Sequence, residues 1–310
     1  MQDHVPVMLD EAIEYLDLKP DSVVVDCTTG LGGHSAAIAA RLTGGGKLIA
    51  RDRDPESLEI ARERLKDFGD RIIFDSGRFS GLREALARLN VPVADRVLID
   101  CGLSMYQLKT PQRGFSILEE GLLDMRMSRN EEGPSAGDIV NFYSERDIAQ
   151  ILIAGEERRA RRIARAIVRA RPVRTTKELS GIIRQALPPM DRHGNIHPAT
   201  LSFQALRMAV NAEVDELDAL LGALPHILRT PGGRAVFITF HSLEDRPVKR
   251  AFQRLAQEGT AHLLTRHVVP PTEDEVRRNP AARSAKLRAL EMIDSSGSDR
   301  RKTGNKYKNG

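Results

Sequence analysis

The sequence predicts a doubly wound α/β core interrupted by a helical insertion. Three observations carry that expectation. Apolar strand-like segments alternate with helical ones four times in the first hundred residues. The first, second and fourth of those strands end in aspartate: Asp26, Asp52 and Asp100. More than a hundred residues then pass before the next convincing strand, Ala235–Phe240, too many for a loop in a compact domain. The expected organisation is a discontinuous core, 1–108 with 206–293, around an inserted helical substrate-recognition domain, 109–205. A polar, basic tail, 294–310, is expected to be disordered.

The composition narrows the class. Charged residues make up 29% and hydrophobic residues 41%, ordinary for a globular protein in water. No apolar run approaches the length of a membrane span, and the acidic, proline-bearing N-terminus lacks the layout of a secretory signal. The cysteines, Cys27 and Cys101, are too few for a disulfide framework and have no zinc-type spacing, so a reducing cytoplasm and no metal are expected. The formal net charge of +4 suits an anionic partner without specifying one.

Residues 4–18 carry Leu9, Ala12, Ile13 and Leu16 at helical spacing, a helix covering the sheet. Val23–Val25 are β-branched and apolar, as a buried parallel strand requires. Gly30, Gly32 and Gly33 follow, a turn that lets the backbone approach a ligand, and Ser35–Leu42 reads as helix. The second strand, Lys47–Ala50, leads to Asp52, 20 residues after Gly32, where dinucleotide-type folds place a ribose-binding acid. Asp54 and Pro55 read as the cap and first residue of the next helix, whose inner face is Leu58, Ala61 and Leu65. After the third strand, Ile72–Phe74, Phe79 suits either an adenine ring or the core. Leu82–Leu89 is an amphipathic helix, and Arg96–Ile99 is the fourth strand. Ligands of such a sheet belong at the carboxyl ends of its strands.

The insertion reads as helices over 146–153, 156–170 and 177–186, and a long helix over 201–221 returns to the core. In the second of these, Ala160, Ile163, Ala164 and Ile167 form an apolar face. Arg158, Arg161, Arg162, Arg165 and Arg169 fall opposite. At about 100° per residue they make one stripe, suited to phosphates and hence to nucleic acid. After the fifth strand, Ser242 and Asp245 have capping-box spacing, Pro247 suits a first turn, and His241 stands at a strand end from which it could face the same cleft. Arg283–Ile293 reads as a last strand.

Two cofactors fit the glycine turn. NAD expects G-x-G-x-x-G, but here the pattern is Gly30-x-Gly32-Gly33-x-Ser35, without the last glycine. S-adenosylmethionine has no phosphate. It calls for an acid before the turn for its ammonium group (Asp26), close backbone (Gly30–Gly33) and a ribose acid (Asp52). The methyl donor is the better match, with NAD as the rival.

Longer motifs add to this. Thr29-Gly30-Leu31-Gly32-Gly33-His34-Ser35, Asp52-Arg53-Asp54-Pro55, Arg113-Gly114-Phe115-Ser116 and Leu123-Asp124-Met125-Arg126-Met127 occur in order. Gly155-Glu156-Glu157-Arg158, His197-Pro198-Ala199-Thr200, Phe240-His241-Ser242-Leu243-Glu244-Asp245-Arg246, Asn279-Pro280 and Arg283-Ser284-Ala285-Lys286-Leu287-Arg288 complete the set. In these the chain, from His4 to about Met292, resembles the RsmH (MraW) family of ribosomal RNA methyltransferases. The resemblance implies a class I S-adenosylmethionine-dependent methyltransferase core, Rossmann-like, with a helical insert. It implies methylation of the exocyclic N4 of a cytidine in the decoding centre of 16S ribosomal RNA. Carried over by position, the donor would be held by Gly32, Gly33, His34, Asp52, Phe79, Asp100 and Gln107. The partners would be 16S ribosomal RNA or the small ribosomal subunit, with no membrane, and the chain could pair with a second copy of itself.

One motif departs. Where the family usually reads D-L-G-V-S-S-P-Q-L-D, this chain has Asp100-Cys101-Gly102-Leu103-Ser104-Met105-Tyr106-Gln107-Leu108-Lys109, and Leu201 stands where a basic residue is usual. These changes lie toward the acceptor. The N4 lone pair is delocalised, so an acceptor hydrogen-bonded to N4–H would draw it out and take the proton late; Asp100, Ser104, Tyr106 and His241 are the candidates. A donor-binding RNA assembly factor without transfer activity is the alternative, and the intact donor motifs speak against it.

Overall fold

The structure is a computed structural model that describes residues 6–191 and 197–294. The expected disordered tail lies, beyond its first residue, outside the described residues. In chain order the elements begin with α1 (Leu9–Leu16), β1 (Val23–Asp26), α2 (Gly33–Ala39), β2 (Lys47–Asp52), α3 (Pro55–Arg64), β3 (Ile72–Ser76), α4 (Leu82–Arg88) and β4 (Arg96–Asp100). There follow α5 (Met105–Lys109), α6 (Ala136–Phe142), α7 (Glu145–Ala154), α8 (Ala160–Arg169), α9 (Thr176–Ala186), α10 (Thr200–Asn211) and α11 (Glu213–Ile227). The chain continues with β5 (Arg234–Thr239), α12 (Ser242–Gln257), β6 (Ala261–Leu263), α13 (Glu273–Arg278) and β7 (Lys286–Met292). Among the described residues no helix is long and apolar enough to cross a membrane.

The chain forms two compact units, one running to Gly102 and resuming at Glu216, the other spanning Leu103–Asp215. The second unit starts earlier and ends later than the 109–205 expected from sequence.

The first unit is built on a sheet of order β3-β2-β1-β4-β5-β7-β6. β1 to β5 are mutually parallel, and β7 is antiparallel to both of its neighbours. The chain winds outward from β1 to β3, then returns to the other side of β1 as β4. That reversal makes the β1/β4 boundary the switch point at which such sheets bind ligands. Alternation along each strand supplies both cores. Val24, Leu48, Leu98 and Ile238 pack with Leu16 of α1, Ile38 of α2 and Ala61 of α3 on one face. Val25, Ile49, Val97 and Phe237 pack with Leu86 of α4, Leu220 of α11 and Phe252 of α12 on the other. A strand sandwiched on both faces must be apolar throughout, which is why the strands were legible. The last strand starts at Lys286, because Pro280–Ser284 wind into a 3₁₀ turn.

The second unit is helical around its own core, which includes Ile148, Leu152, Ile163, Ile167, Leu179 and Phe203. Two sequence expectations need correction here. The helix expected over 156–170 begins only at Ala160. Glu156 is left-handed (φ 63°), and Glu157 turns inward, accepting hydrogen bonds from the Ser202 hydroxyl (3.0 Å) and the Arg159 amide (3.0 Å). Gly155 precedes this break because a Cβ there would stand 2.2 Å from that of Ala205. Arg158 therefore lies before the helix.

The single helix expected over 201–221 is two, α10 and α11, parted at Ala212 (φ 50°). Asn211 holds the break. Its side chain accepts from the Met127 amide (2.7 Å) and donates to the Met125 carbonyl (2.7 Å). The same loop is fixed from within by buried Arg113, which donates to the carbonyls of Met127 (2.7 Å) and Arg126. Two quoted motifs, around Arg113 and around Asp124, thus meet in one loop.

Replacing Asn211 with alanine leaves a buried amide and a carbonyl without partners. We expect a loss of about 2–4 kcal/mol, measured as a shift in the urea unfolding midpoint of the full chain. A change below about 0.5 kcal/mol would mean that the loop backbone finds other partners.

Candidate active site

The carboxyl ends of β1, β2 and β4 are laced together by short-range hydrogen bonds. Asp26 closes β1 with no exposed surface. Its Oδ2 accepts from the Ser35 hydroxyl (2.6 Å), and its Oδ1 from the Thr28 amide (3.1 Å). Thr28 in turn accepts the Asp100 amide on its hydroxyl oxygen (2.7 Å), which ties β4 to the turn after β1. Asp52, at the end of β2, accepts the Gly30 amide (2.7 Å) and the Asp54 amide (2.8 Å). Burial pushes the Asp26 carboxyl up to about 6 and that of Asp52 up to about 7, outweighing the donors that favour their ionised forms. Asp54 caps α3 as expected, accepting from the Glu56 amide (3.1 Å) and the Ser57 hydroxyl (3.0 Å).

Asp26 needs a different role from the one expected of it. A fully buried carboxylate whose oxygens hold Ser35 and Thr28 shapes the turn and does not face a ligand's ammonium group. Gly32 adopts φ +81°, a conformation that favours glycine. Gly33 has no room for a side chain, since a Cβ there would lie 2.5 Å from Pro6. The N-terminal segment thereby packs on the glycine turn. His34 is buried, with Nε2 3.0 Å from the Val7 carbonyl oxygen and Nδ1 3.8 Å from Asp100 Oδ2.

Asp100 is the acid of this group with an oxygen to spare. Its Oδ1 is buried and has no hydrogen-bond partner among the described residues. Burial, then the neighbouring Asp26 and Glu244, raise its carboxyl well above the usual range. Phe79 is half-buried in a 3₁₀ turn, Phe79–Gly81, beside the α4 core. That turn is gripped by Glu216, which accepts from the Ser80 amide (2.8 Å) and hydroxyl (3.1 Å) and lies 3.7 Å from Arg78.

His241 caps α12 without a side-chain cap bond, so the capping box expected from Ser242 and Asp245 does not form. Asp245 instead makes a two-pronged ion pair with Arg288 of β7 (2.7 and 3.0 Å), and Pro247 sits beyond the first turn. The carboxylate that matters at this corner is Glu244. It is 94% buried, accepts the Phe240 amide (2.8 Å) and holds His241 Nε2 at 2.9 Å. Sequence reading quoted Glu244 within a motif without giving it a role, and passed over Glu216. The His241-x-x-Glu244 spacing at a helix start was an available signal for the first; nothing local marks the second.

The remaining candidates belong to the second unit. Ser104 and Gln107 form a capping box on α5: the Ser104 hydroxyl accepts the Gln107 amide (3.2 Å), and Gln107 Oε1 accepts the Ser104 amide (3.0 Å). Gln107 is buried, while Met105 and Tyr106 sit half-buried in the first helical turn between them. Arg158, Arg161, Arg162, Arg165 and Arg169 are all exposed. Arg165 is partly neutralised by Glu145 of α7, at 3.3 Å, a partner the sequence did not suggest. Arg161 and Arg165, with Arg146 and Gln150 of α7, line a groove of about 470 Å³ between α7 and α8.

Residues 1–293 match the MraW methylase family. Similar proteins named Ribosomal RNA small subunit methyltransferase H span nearly the whole chain. That of Solibacter usitatus is 50% identical over 290 residues, 93% of this chain and 99% of its own. Those of Acidobacterium capsulatum and Koribacter versatilis are 47% and 48% identical, over 93% and 92% of this chain and 98% and 93% of theirs. The fold is Rossmann-like, of the class I methyltransferase kind. The cofactor is S-adenosylmethionine. The strand ends fit it, because the spare buried oxygen of Asp100 and the carboxylate of Asp52 accept hydrogen bonds and tolerate a cation, while the side-chain-free turn at Gly32 and Gly33 admits close approach. The chain belongs to the MraW methylase family.

Proposed function

We propose that this chain methylates ribosomal RNA of the small subunit, at the exocyclic N4 of a cytidine in the decoding centre of 16S RNA. The near-full-length similarity to relatives whose names state small-subunit ribosomal RNA methylation supports the substrate class; the N4 atom and the decoding-centre cytidine rest on the motif resemblance. S-adenosylmethionine supplies an electrophilic methyl group on a positively charged sulfur. The donor-holding residues are Gly32, Gly33, His34, Asp52, Phe79, Asp100 and Gln107. Asp52 acts on the ribose, and Phe79 lies against the adenine in a turn kept in place by Glu216.

The acceptor side must bring N4 to the strand ends and take its proton. Of the four candidates, His241 is the one whose ring is oriented by a buried carboxylate, the arrangement expected of a general base with a supporting acid. We assign it the proton, with Asp100 on the donor. Most of the rate then comes from alignment, since N4 is a poor nucleophile until its lone pair leaves the ring plane. The arginines of α8 meet phosphates, and the target base is unstacked before reaction.

The decisive experiment maps methylated nucleotides in small-subunit RNA from cells with and without the protein. Loss of methyl from one decoding-centre cytidine is expected; an unchanged map would refute the substrate. A chain that binds donor yet transfers nothing to subunits or their RNA would instead be an assembly factor.

Replacing His241 with asparagine should lower kcat by about 10²–10⁴ with donor affinity within about twofold; an unchanged kcat would remove it as the base. Reversing Arg161 and Arg165 to glutamate should weaken RNA binding by tenfold or more. It should also flatten the slope of log affinity against log salt by roughly 1.4–1.8, with donor binding intact. Equal RNA affinity in filter binding at moderate salt would retire the arginine face as a phosphate contact.

A further inference from the structure

At the end of β4 two hydrogen-bond acceptors confront one another. The His34 ring is buried, and its Nε2 lies 3.0 Å from the Val7 carbonyl oxygen. A carbonyl oxygen only accepts, so Nε2 carries the hydrogen. In the neutral ring Nδ1 then presents a lone pair, and it does so 3.8 Å from Asp100 Oδ2. An ionised Asp100 would set a charged acceptor against that lone pair; a protonated one presents a donor. On its other side, Asp100 Oδ1 is buried with no partner among the described residues, a costly site for a full negative charge.

The titratable groups facing Asp100 come from each element packed around it. Asp26 lies at the end of β1, Glu244 lies on α12, and His241 stands behind Glu244 as its partner. His34 comes from α2. Burial is the largest opposition to a negative charge there, and the two acids add to it.

We infer that Asp100 is protonated in the free protein and gives up that proton when the cationic methyl donor binds. The inference rests on the reading that Asp100 faces the donor. The O–H bond of the carboxyl breaks heterolytically. Its electron pair stays on the carboxylate, the proton passes to the buffer, and nothing is oxidised or reduced. The incoming positive charge replaces the proton as the counter-charge of Asp100, and His34, held by the Val7 carbonyl, fixes the geometry of the exchange. His34 is in this respect a positioning residue.

Linkage gives the sign. Because the bound state holds one proton fewer, donor affinity rises with pH, by up to about tenfold per unit on the acid side, and levels off once Asp100 is ionised in the free protein. The experiment is calorimetric titration of the full-length protein with S-adenosylmethionine at about pH 7, in buffers of different ionisation enthalpy. Release of close to one proton is expected. Binding with no proton exchange overturns the inference while the donor reading stands; no binding at all sinks both. Repeating the titration with Asp100→Asn should abolish the release, and an unchanged release would assign the proton to another group and overturn the inference. Should that variant bind too weakly, the wild-type infrared difference spectrum decides. A protonated-carboxyl band lost on donor binding is expected, and a spectrum without that loss refutes the idea.

Discussion

The hydrogen bond between Ser35 and Asp26 is the constraint on which the rest of the site depends. It joins the first turn of α2 to the last residue of β1 inside the protein, at 2.6 Å, with no solvent to share the load. Once α2 is pinned there, the glycine turn between the two has one path, and its amides fall where neighbouring strand ends meet them. Asp52 takes the Gly30 amide, and Thr28 takes the Asp100 amide. Three strand ends are thereby held in register by side chains beyond the reach of the β ladder. A buried carboxyl in such a role is costly unless both oxygens are satisfied, and those of Asp26 are.

The inserted unit solves a different problem. A helix with a row of arginines has no reason to fold alone, because like charges repel and the apolar face needs cover. Burial of Ala160, Ile163, Ala164 and Ile167 supplies the cover. The break at Gly155–Glu157 sets where the helix starts: Glu157 is drawn inward to Ser202, and the close contact of Gly155 with Ala205 brings α7 onto α10. The arginines are left outside, Arg165 with an ion pair to Glu145. Several long motifs of the chain, those around Arg113, Asp124 and Gly155, are thus explained by the architecture of this unit without any ligand.

What the sequence disclosed was set by the range of the interactions involved. The parallel strands announce themselves because each is buried on both faces, and Asp54 with Pro55 shows itself as a cap because its partners lie two and three residues away. The break between α10 and α11 stayed hidden. Leu206, Val210, Val214, Leu217 and Leu221 keep helical spacing straight through Ala212, and the residue that stabilises the break, Asn211, bonds to residues more than eighty positions earlier. Asp245 misled for the same reason, its partner Arg288 being 43 residues on. β6 has three residues and α13 six mostly charged ones, too little pattern to detect. In the site, the positions of Asp26, Asp52 and Asp100 at strand ends were legible, but not which of them is sealed. Burial of a carboxyl depends on what packs over it, here Ser35 and the closing turn, and not on its own neighbourhood in the chain.

That difference between a sealed acid and a spare one bears on which charge the strand ends suit. A pyrophosphate would bring negative charge to three strand ends that already hold Asp26, Asp52 and Asp100, each of them raised by burial and so disfavoured as anions before any ligand arrives. The Gly30 amide, which such a ligand would seek, is already taken by Asp52. A cation reverses the charge terms and has no need of the Gly30 amide. As proposed above, it would favour ionisation of the carboxyl with an oxygen to spare, Asp100, and leave the sealed one, Asp26, to its structural work. The glycine turn shared with nucleotide-binding folds is therefore not what sets the preference of this site; the acids at the strand ends around it are.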